Sequence, residues 1–215
     1  MNSVGLRNAL LAIGSVIGWF AILLQLVLII QNRVAPVTET VVRFFSFFTI
    51  LTNIIVATCC TALWLRRHKD RPSAFFNPNR LTAITVYILV VGIVYNLILR
   101  FLWTPTGLQR IVDEILHLVI PLLFFIYWLL FVDKSRLVWK DAFAWLIYPF
   151  LYLVFILIRG RLAAASFYPY PFVDVSKLGL HKVLLNSLGM LGLFLFLSFL
   201  FIGAGRLQQS KKQLA

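Results

Sequence analysis

Charged residues are scarce in this chain, and acidic residues are the scarcest of them. Only 7 of the 215 residues are Asp or Glu, against 20 Lys and Arg, and charged residues together make up 13%. So small a polar fraction cannot cover the surface of a soluble domain, since 61% of the residues are hydrophobic and the mean hydropathy is +0.94. The composition therefore excludes a soluble globular protein and indicates an integral membrane protein.

Cysteine and histidine are also rare, which excludes several kinds of site. The two cysteines, Cys59 and Cys60, are adjacent in an apolar run, where neighbouring helical side chains point about 100 degrees apart. Neither a disulfide framework nor a zinc site is therefore expected. The chain has only three histidines and few carboxylates, too few ligands for a metal centre. The sequence predicts no metal and no cofactor.

The formal net charge of +13 raises the question of nucleic acid as a partner. The basic residues, however, lie in the short connections between apolar runs, and nothing in the sequence resembles a nucleic-acid-binding module. Basic residues at these places contact lipid headgroups and fix the orientation of the spans. We therefore expect membrane lipids as partners, and no nucleic acid.

Six apolar runs are long enough to cross a membrane, whose hydrocarbon core is about 30 Å thick. They cover residues 8–30, 43–65, 81–103, 111–131, 142–158 and 183–204. The first run is longer than the apolar part of a signal peptide, and no small-residue cleavage site closes it, so we expect it to remain in the protein. The sequence predicts an all-α polytopic membrane protein in which residues 1–215 form a single domain, one bundle of six transmembrane helices.

The distribution of Lys and Arg predicts the orientation of this bundle. Six spans put both termini on one side, which carries 12 of these residues, while the other side carries 8. The strongest contribution is the basic connection between the second and third runs. By the positive-inside rule, both termini lie in the cytoplasm, and the expected location is the cell (inner) membrane.

The second run carries a polar cluster where a plain lipid-facing helix would be expected. Its members are Ser46, Thr49, Thr52 and Asn53. In a continuous helix, Thr49 lies three residues from Ser46 and from Thr52 and four from Asn53, so the four side chains share one face. Such a face needs polar partners inside the bundle, or it lines a site.

Polar residues of other runs are predicted to lie at a similar depth in the outer half of the membrane. Counted from the outer ends of their runs at 1.5 Å per residue, Thr49, Asn96 and His117 are about 9 to 11 Å deep. Asn186 is slightly shallower, and Arg100 and Arg159 lie nearer the outer rim. An ionisable group such as His117 is uncommon at this depth and commonly has a function there. One polar layer is therefore expected to join five helices.

The residue types in this layer are those of an acyl-transfer site. A threonine hydroxyl becomes a nucleophile when a neighbouring base takes its proton, and histidine is the usual base. Asp113, one helical turn before His117, is placed to hold the imidazole in the required tautomer. Hydrogen-bond donors for an oxyanion are also present, the candidates being Asn53, Asn96, Asn186, Arg100 and Arg159.

The same residues also have structural interpretations. Threonine hydroxyls in membrane helices commonly bond to a carbonyl of their own helix, asparagines join helices, and arginines extend to the headgroups. Two further functions stay open beside a hydrolase. The layer fits a binding or transport protein for a small solute or protons, in which His117 changes charge, and it fits a structural subunit of an assembly.

Several short motifs resemble the androgen-induced protein family of membrane threonine hydrolases and its six-helix prokaryotic relatives. They are FFTILTN at 47–53, LHLVIP at 116–121, YP at 148–149, and RG at 159–160 followed by YPYPF at 168–172. The resemblance implies a hydrolase or acyltransferase of a lipid ester, such as a fatty acid ester of a hydroxy fatty acid. It further implies that Thr49 is the nucleophile and His117 the catalytic histidine.

This chain departs from the animal members of that family at the predicted nucleophile. In those members an acid stands three positions after the threonine, whereas here that position is Thr52, followed by Asn53. Thr49 and Thr52 therefore both remain candidates. The aromatic loop at 160–182 has two interpretations, a lid over the outer opening or an interfacial anchor.

Overall fold

The computed structural model describes residues 3–66, 77–162 and 167–213 of the chain. These residues form helices and connecting turns, and no β-strand occurs among them. The α-helices are α1 (Ser3–Gln31), α2 (Val37–Phe44), α3 (Phe48–Leu65), α4 (Pro78–Leu97), α5 (Gly107–Glu114), α6 (Ile120–Phe131), α7 (Asp141–Trp145), α8 (Ile147–Leu162) and α9 (Val175–Gln213). Short 3-10 turns cover Leu99–Phe101 and Pro171–Val173, and a π-helical turn covers Ile115–Val119.

Six helical segments are long and apolar enough to cross a membrane, as predicted. They are Ser3–Gln31, Phe48–Leu65, Pro78–Phe101, Gly107–Phe131, Asp141–Leu162 and Val175–Leu207. The all-α polytopic architecture with six transmembrane helices is thereby confirmed. The cytoplasmic position of the termini stays a prediction, as does the single domain.

The second span begins later than the sequence suggested. The run 43–65 is interrupted after Phe44, where the main-chain N–H groups of Ser46 and Phe47 donate to carbonyls three residues back, and α3 starts at Phe48. The Ser46 hydroxyl donates to the carbonyl oxygen of Val42 at 2.6 Å, a local bond that competes with a continuing helix. Ser46 is therefore not on the helical face of α3, and Thr49 lies in the first turn of α3 rather than one and a half turns inside it.

The third span is also shorter as a regular helix than the run 81–103. The α-helix α4 ends at Leu97, Ile98 has non-helical backbone angles, and Arg100 lies in the following 3-10 turn. Asn96 and Arg100, four residues apart in the sequence, are thus separated by a change of helix type.

The chain divides into two compact units, residues 1–136 and 137–215. In the first unit, α1 packs against α3 and α6, and α4 packs against α3 and α6. Small residues allow the close approach of α1 to α3: a Cβ added at Gly18 would lie 3.1 Å from the Cβ of Ala57. One cluster of buried apolar residues joins α1 to α2, α3 and α5, and includes Ile22, Phe44, Ile50 and Val112.

The second unit contains α7, α8 and α9 with the aromatic loop between the last two. The side chain of Trp139, just before α7, packs on Phe199 of α9, with ring centroids 5.9 Å apart. The helix α9 is longer than the predicted run 183–204 and is bent at Gly179, whose φ of 75° is in the left-handed region that favours glycine.

Candidate functional site

The predicted nucleophile and base lie next to each other in the first unit. Thr49 Oγ1, in the first turn of α3, is 3.4 Å from Nε2 of His117, 68 residues later in the sequence. Both residues are buried, with 6% and 9% of their surfaces exposed. A hydroxyl and an imidazole nitrogen at this distance satisfy the first requirement of a nucleophile and base pair.

The tautomer of His117 follows from its second hydrogen bond. Nδ1 lies 2.9 Å from the main-chain carbonyl oxygen of Asp113, and a carbonyl oxygen can only accept. Nδ1 therefore carries the proton, and Nε2 presents its lone pair to Thr49. This is the tautomer that a general base needs in order to take the threonine proton.

Asp113 thus supports His117 through its main chain, while its carboxylate has other partners. Oδ2 accepts from the hydroxyl of Tyr95 at 3.0 Å, and Oδ1 accepts from Nε2 of Gln109 at 3.3 Å. The same Gln109 nitrogen also donates to Oε1 of Gln25 on α1, at 2.8 Å. The predicted position of Asp113 beside His117 is observed, but the orienting group is its carbonyl rather than its carboxylate.

Tyr95 is a member of the site that the sequence analysis missed. Its ring stacks on the imidazole of His117, with centroids 3.7 Å apart and planes inclined by 14°. With its hydroxyl bound to Asp113, Tyr95 fixes both the plane of the imidazole and the direction of the carboxylate. In the sequence, Tyr95 is distinguished only by its position one residue before Asn96, and that position does not predict which helix the Tyr95 ring contacts.

His117 lies in the π-helical turn that joins α5 to α6, and Pro121 explains this turn. The N–H of Ile120 bonds to the carbonyl of Ile115, five residues back, and Pro121 has no N–H to offer to the carbonyls before it. In a regular helix the N–H of residue 121 would bond to the carbonyl of His117. The turn therefore leaves carbonyl groups near His117 that need donors from elsewhere.

Two asparagines from neighbouring helices supply these donors. Asn53 Nδ2 on α3 donates to the carbonyl of Leu116 at 3.3 Å, and Asn96 Nδ2 on α4 donates to the carbonyl of His117 at 3.0 Å. Each amide also donates to the carbonyl four residues back in its own helix, at 2.9 and 2.8 Å. Both protons of each amide are thus directed at main-chain oxygens, so these side chains hold the turn and not a substrate oxygen.

Arg100 lies at the edge of the same cluster. Its Nη2 forms an ion pair with Oε2 of Glu114 at 2.7 Å, and its guanidinium carbon lies 5.6 Å from the centroid of the Tyr95 ring. Both charged side chains are more than one third exposed. The Tyr95 ring therefore contacts both Arg100 and His117, and Arg100 lies on the more exposed side of the cluster.

The remaining candidates have different surroundings. Thr52 is fully buried on α3, three residues after Thr49. Arg159 and Asn186 belong to the second unit, where they donate to carbonyls of the aromatic loop, Arg159 to Phe167 at 3.2 Å and Asn186 to Phe172 at 2.9 Å. Within that unit, both side chains anchor the loop to its helices.

Another polar group joins α1 to α3 away from His117. Ser15 Oγ lies 2.7 Å from Thr61 Oγ1, which also accepts from Nε1 of Trp19 at 3.1 Å and donates to the carbonyl of Ala57. These hydrogen bonds account for the hydroxyls as contacts between helices. In the described parts of the chain, no group of three or more His, Cys, Asp or Glu is arranged to hold a metal ion.

Comparison with known proteins gives no match to a protein-family model, to a curated protein or to a solved structure. The resemblance to the androgen-induced protein family stays an expectation from the motifs, and the residues of the site are interpreted from their own geometry.

Proposed function

We propose that this protein is an intramembrane hydrolase or acyltransferase of a lipid ester, with Thr49 as nucleophile and His117 as base. The observation that carries the proposal is the Thr49–His117 pair, with its 3.4 Å separation and the hydrogen bond that sets the tautomer. Hydrogen bonds of this kind are commonly long before substrate binds and shorten in the reacting complex.

The reaction follows from the positions of the proton and the lone pair. As Thr49 Oγ1 attacks the ester carbonyl carbon, Nε2 of His117 takes the hydroxyl proton and the carbonyl oxygen becomes an oxyanion. When the bond to the leaving alcohol breaks, Nε2 gives that proton to the alcohol oxygen. The product is an acyl ester on Thr49, which water hydrolyses or a second alcohol accepts.

The oxyanion would form beside the start of a helix. Thr49 is the second residue of α3, and the amino end of a helix carries a partial positive charge of about half an elementary charge. Such a dipole, fixed before the reaction, stabilises negative charge as it develops. The start of α3 beside Thr49 therefore supports the proposal, since a helix start there would stabilise the oxyanion.

The surroundings of the pair support a lipid as the substrate. The pair is buried between helices of membrane-spanning length, and the charges of the Arg100–Glu114 pair lie at the accessible edge. A substrate with an apolar chain and one polar ester group matches such surroundings. A fatty acid ester of a hydroxy fatty acid, the class implied by the resemblance, is one such lipid.

Active-site labelling provides the test. The purified protein would be treated with a lipophilic β-lactone or fluorophosphonate probe, and the labelled residue located by mass spectrometry. We expect label on Thr49, lost in His117→Gln and in Thr49→Val, which keeps the shape of threonine without its hydroxyl. Turnover of a chromogenic fatty acyl ester should fall by about 10³-fold or more in both variants.

Thr52→Val is the matched variant for the other candidate nucleophile. Label that stays on Thr49 in Thr52→Val assigns the reaction to Thr49, whereas label that moves to Thr52 in Thr49→Val assigns it to Thr52. Full turnover in both Thr49→Val and His117→Gln would refute the proposed function. Saturable binding of a small solute by an unlabelled protein would favour the binding or transport alternative.

A further inference from the structure

The side-chain amide of Asn53 has a determined orientation. Nδ2 donates to the carbonyl oxygens of Thr49 and Leu116, at 2.9 and 3.3 Å. Both partners are acceptors only, so exchanging the amide nitrogen and oxygen would set Oδ1 against two carbonyl oxygens. The oxygen of this amide is therefore the atom that points away from both carbonyls.

That oxygen is buried without a donor. Asn53 is 0% exposed, and Oδ1 has no hydrogen-bond donor among the residues that the structure describes. A buried acceptor that has lost its water and gained no partner is disfavoured, so such atoms in native proteins usually have a use. Since none of the described residues supplies this partner, we look for a donor from outside them.

The position of Asn53 indicates a role for this donor in the reaction. Asn53 lies one helical turn after Thr49 on α3, and its amide bonds to the residue that precedes His117. The amide thus lies between the two elements that carry the nucleophile and the base. A donor bound to Oδ1 is therefore held by a side chain that bonds to the main chain of Thr49 and to that of the residue before the imidazole.

We propose that Asn53 Oδ1 binds the water molecule that hydrolyses the acyl ester on Thr49, an inference that rests on the proposed function. One O–H of the water donates to Oδ1, and the other donates to Nε2 of His117, which is free again after the alcohol has left. The water oxygen attacks the acyl carbon while Nε2 takes its proton. The bond from the acyl carbon to Thr49 Oγ1 then breaks, Nε2 returns the proton to Oγ1, and the carboxylic acid leaves.

This assignment gives the oxygen of Asn53 a role in the second half-reaction only, beside the support that its nitrogen gives to the turn in both. The test therefore separates acylation from deacylation with a p-nitrophenyl ester of a medium-chain fatty acid. The rapid burst of p-nitrophenol measures acylation of Thr49, and the steady rate that follows measures deacylation. Mass spectrometry of the quenched protein measures the fraction of Thr49 that carries the acyl group.

For Asn53→Ala we expect the burst rate to fall by about the same factor as in Asn96→Ala, which also loses support of the turn, and the deacylation rate to fall by about tenfold more than that, with acylated Thr49 accumulating. Asn53→Asp keeps a carbonyl oxygen at the same place and can donate to one carbonyl as the neutral acid. It should restore deacylation to within about threefold of the parent.

Asn96→Ala is the matched control, because Asn96 makes the same two kinds of bond as Asn53. It donates to the carbonyl four residues back and to a carbonyl of the π-helical turn, but its oxygen is not among the buried groups that lack a partner. A loss of support for the turn alone should slow acylation and deacylation by the same factor. We expect that equal loss in Asn96→Ala and an unequal one in Asn53→Ala.

Three results would overturn this inference. Deacylation in Asn53→Ala at the parent rate would show that Oδ1 holds no reacting water, and an equal slowing of both steps would assign Asn53 to support of the turn. A slowed burst with normal deacylation would instead place a substrate hydroxyl at Oδ1. Failure of the parent to form acylated Thr49 is a different outcome, because it refutes the proposed function itself.

Discussion

Asn96 donates from Nδ2 to the main-chain carbonyl oxygen of His117 at 3.0 Å, the oxygen whose usual helical partner is absent because residue 121 is proline. The carbonyl that precedes it, that of Leu116, receives the matching bond from Asn53. Pro121 thus leaves two carbonyl oxygens of the π-helical turn without main-chain donors, and side chains of α3 and α4 donate to both. Helices α3, α4 and α6 together thereby set the position of His117, the candidate base.

The first prediction concerns the Asn96 side chain as the replacement for a main-chain donor at the carbonyl of His117. Asn96→Ala removes a hydrogen bond between helices and should lower the free energy of unfolding by about 0.6 to 1.7 kcal/mol. Pro121→Ala supplies the missing main-chain N–H, so the cost of Asn96→Ala should be smaller in that background by about 0.5 kcal/mol or more. A double-mutant cycle in a detergent unfolding titration measures the coupling. Strict additivity would show that Asn96 and Pro121 do not act on the same carbonyl.

The second prediction concerns Tyr95 as a positioning residue. Tyr95→Phe keeps the ring on His117 but removes the hydroxyl that binds Asp113, so the probe-labelling rate of Thr49 should fall by about fivefold, the value of one hydrogen bond. Tyr95→Leu removes the stack as well and should lower that rate further, since aromatic pairs contribute about 0.5–1.5 kcal/mol.

If Tyr95 only stabilised the fold, its substitution would leave the tautomer of His117 unchanged. The ¹⁵N chemical shifts of His117 distinguish its two tautomers, and we expect a population with the proton on Nε2 to appear in Tyr95→Leu but not in Tyr95→Phe. Equal labelling rates in both variants and the parent would remove Tyr95 from the site.

The third prediction concerns the close approach of α4 to the π-helical turn. A Cβ at Gly92 would lie 3.1 Å from the carbonyl oxygen of His117 and 3.3 Å from Cβ of Pro121. Gly92→Ala should therefore displace the turn and lower the free energy of unfolding by about 1–3 kcal/mol, and labelling of Thr49 should fall with it. Gly189→Ala is the control, since a Cβ there meets nothing within 4 Å, and its effect should stay below about 1 kcal/mol. Equal effects of the two substitutions would contradict this packing.

The fourth prediction concerns the two free cysteines. Cys59 and Cys60 on α3 are 0% and 1% exposed and form no disulfide, so a maleimide reagent should not modify them in the folded protein. Modification should begin only as the first unit unfolds, and its rate should follow the unfolding titration. Both thiols thus provide a probe of folding for the variants of the first unit described above. Rapid modification of the folded protein would show that α3 is less enclosed than in this structure.

Much of the fold was predictable because hydropathy is a local property of the sequence. The number of spans, their approximate places and the all-α class follow from runs of apolar residues, which must be helical to satisfy their backbone groups in lipid. The ends of the spans were less predictable. Phenylalanines stand on both sides of the break, at 44, 45, 47 and 48, so composition gave no sign of the interruption that places Thr49 in the first turn of α3.

The candidate site was predictable only in part. A threonine and a histidine at unusual places in apolar runs could be identified as a pair, and Asp113 could be placed beside His117 by its spacing. The role of Asp113 could not, because the choice between its carbonyl and its carboxylate depends on the π-helical turn and on the hydroxyl of Tyr95. Tyr95 itself is one aromatic residue among many in the sequence.

The sequence by itself determined that this chain has six spans and that Thr49, Thr52 and Asn53 share a face of one helix, because both follow from local periodicity and hydropathy. Only the tertiary structure decided which faces meet. The rotation of each helix about its axis sets whether Thr49 reaches His117, whether Asn53 and Asn96 reach the carbonyls beside Pro121, and where Tyr95 stacks. That rotation depends on packing between helices distant in the sequence, which no single segment encodes.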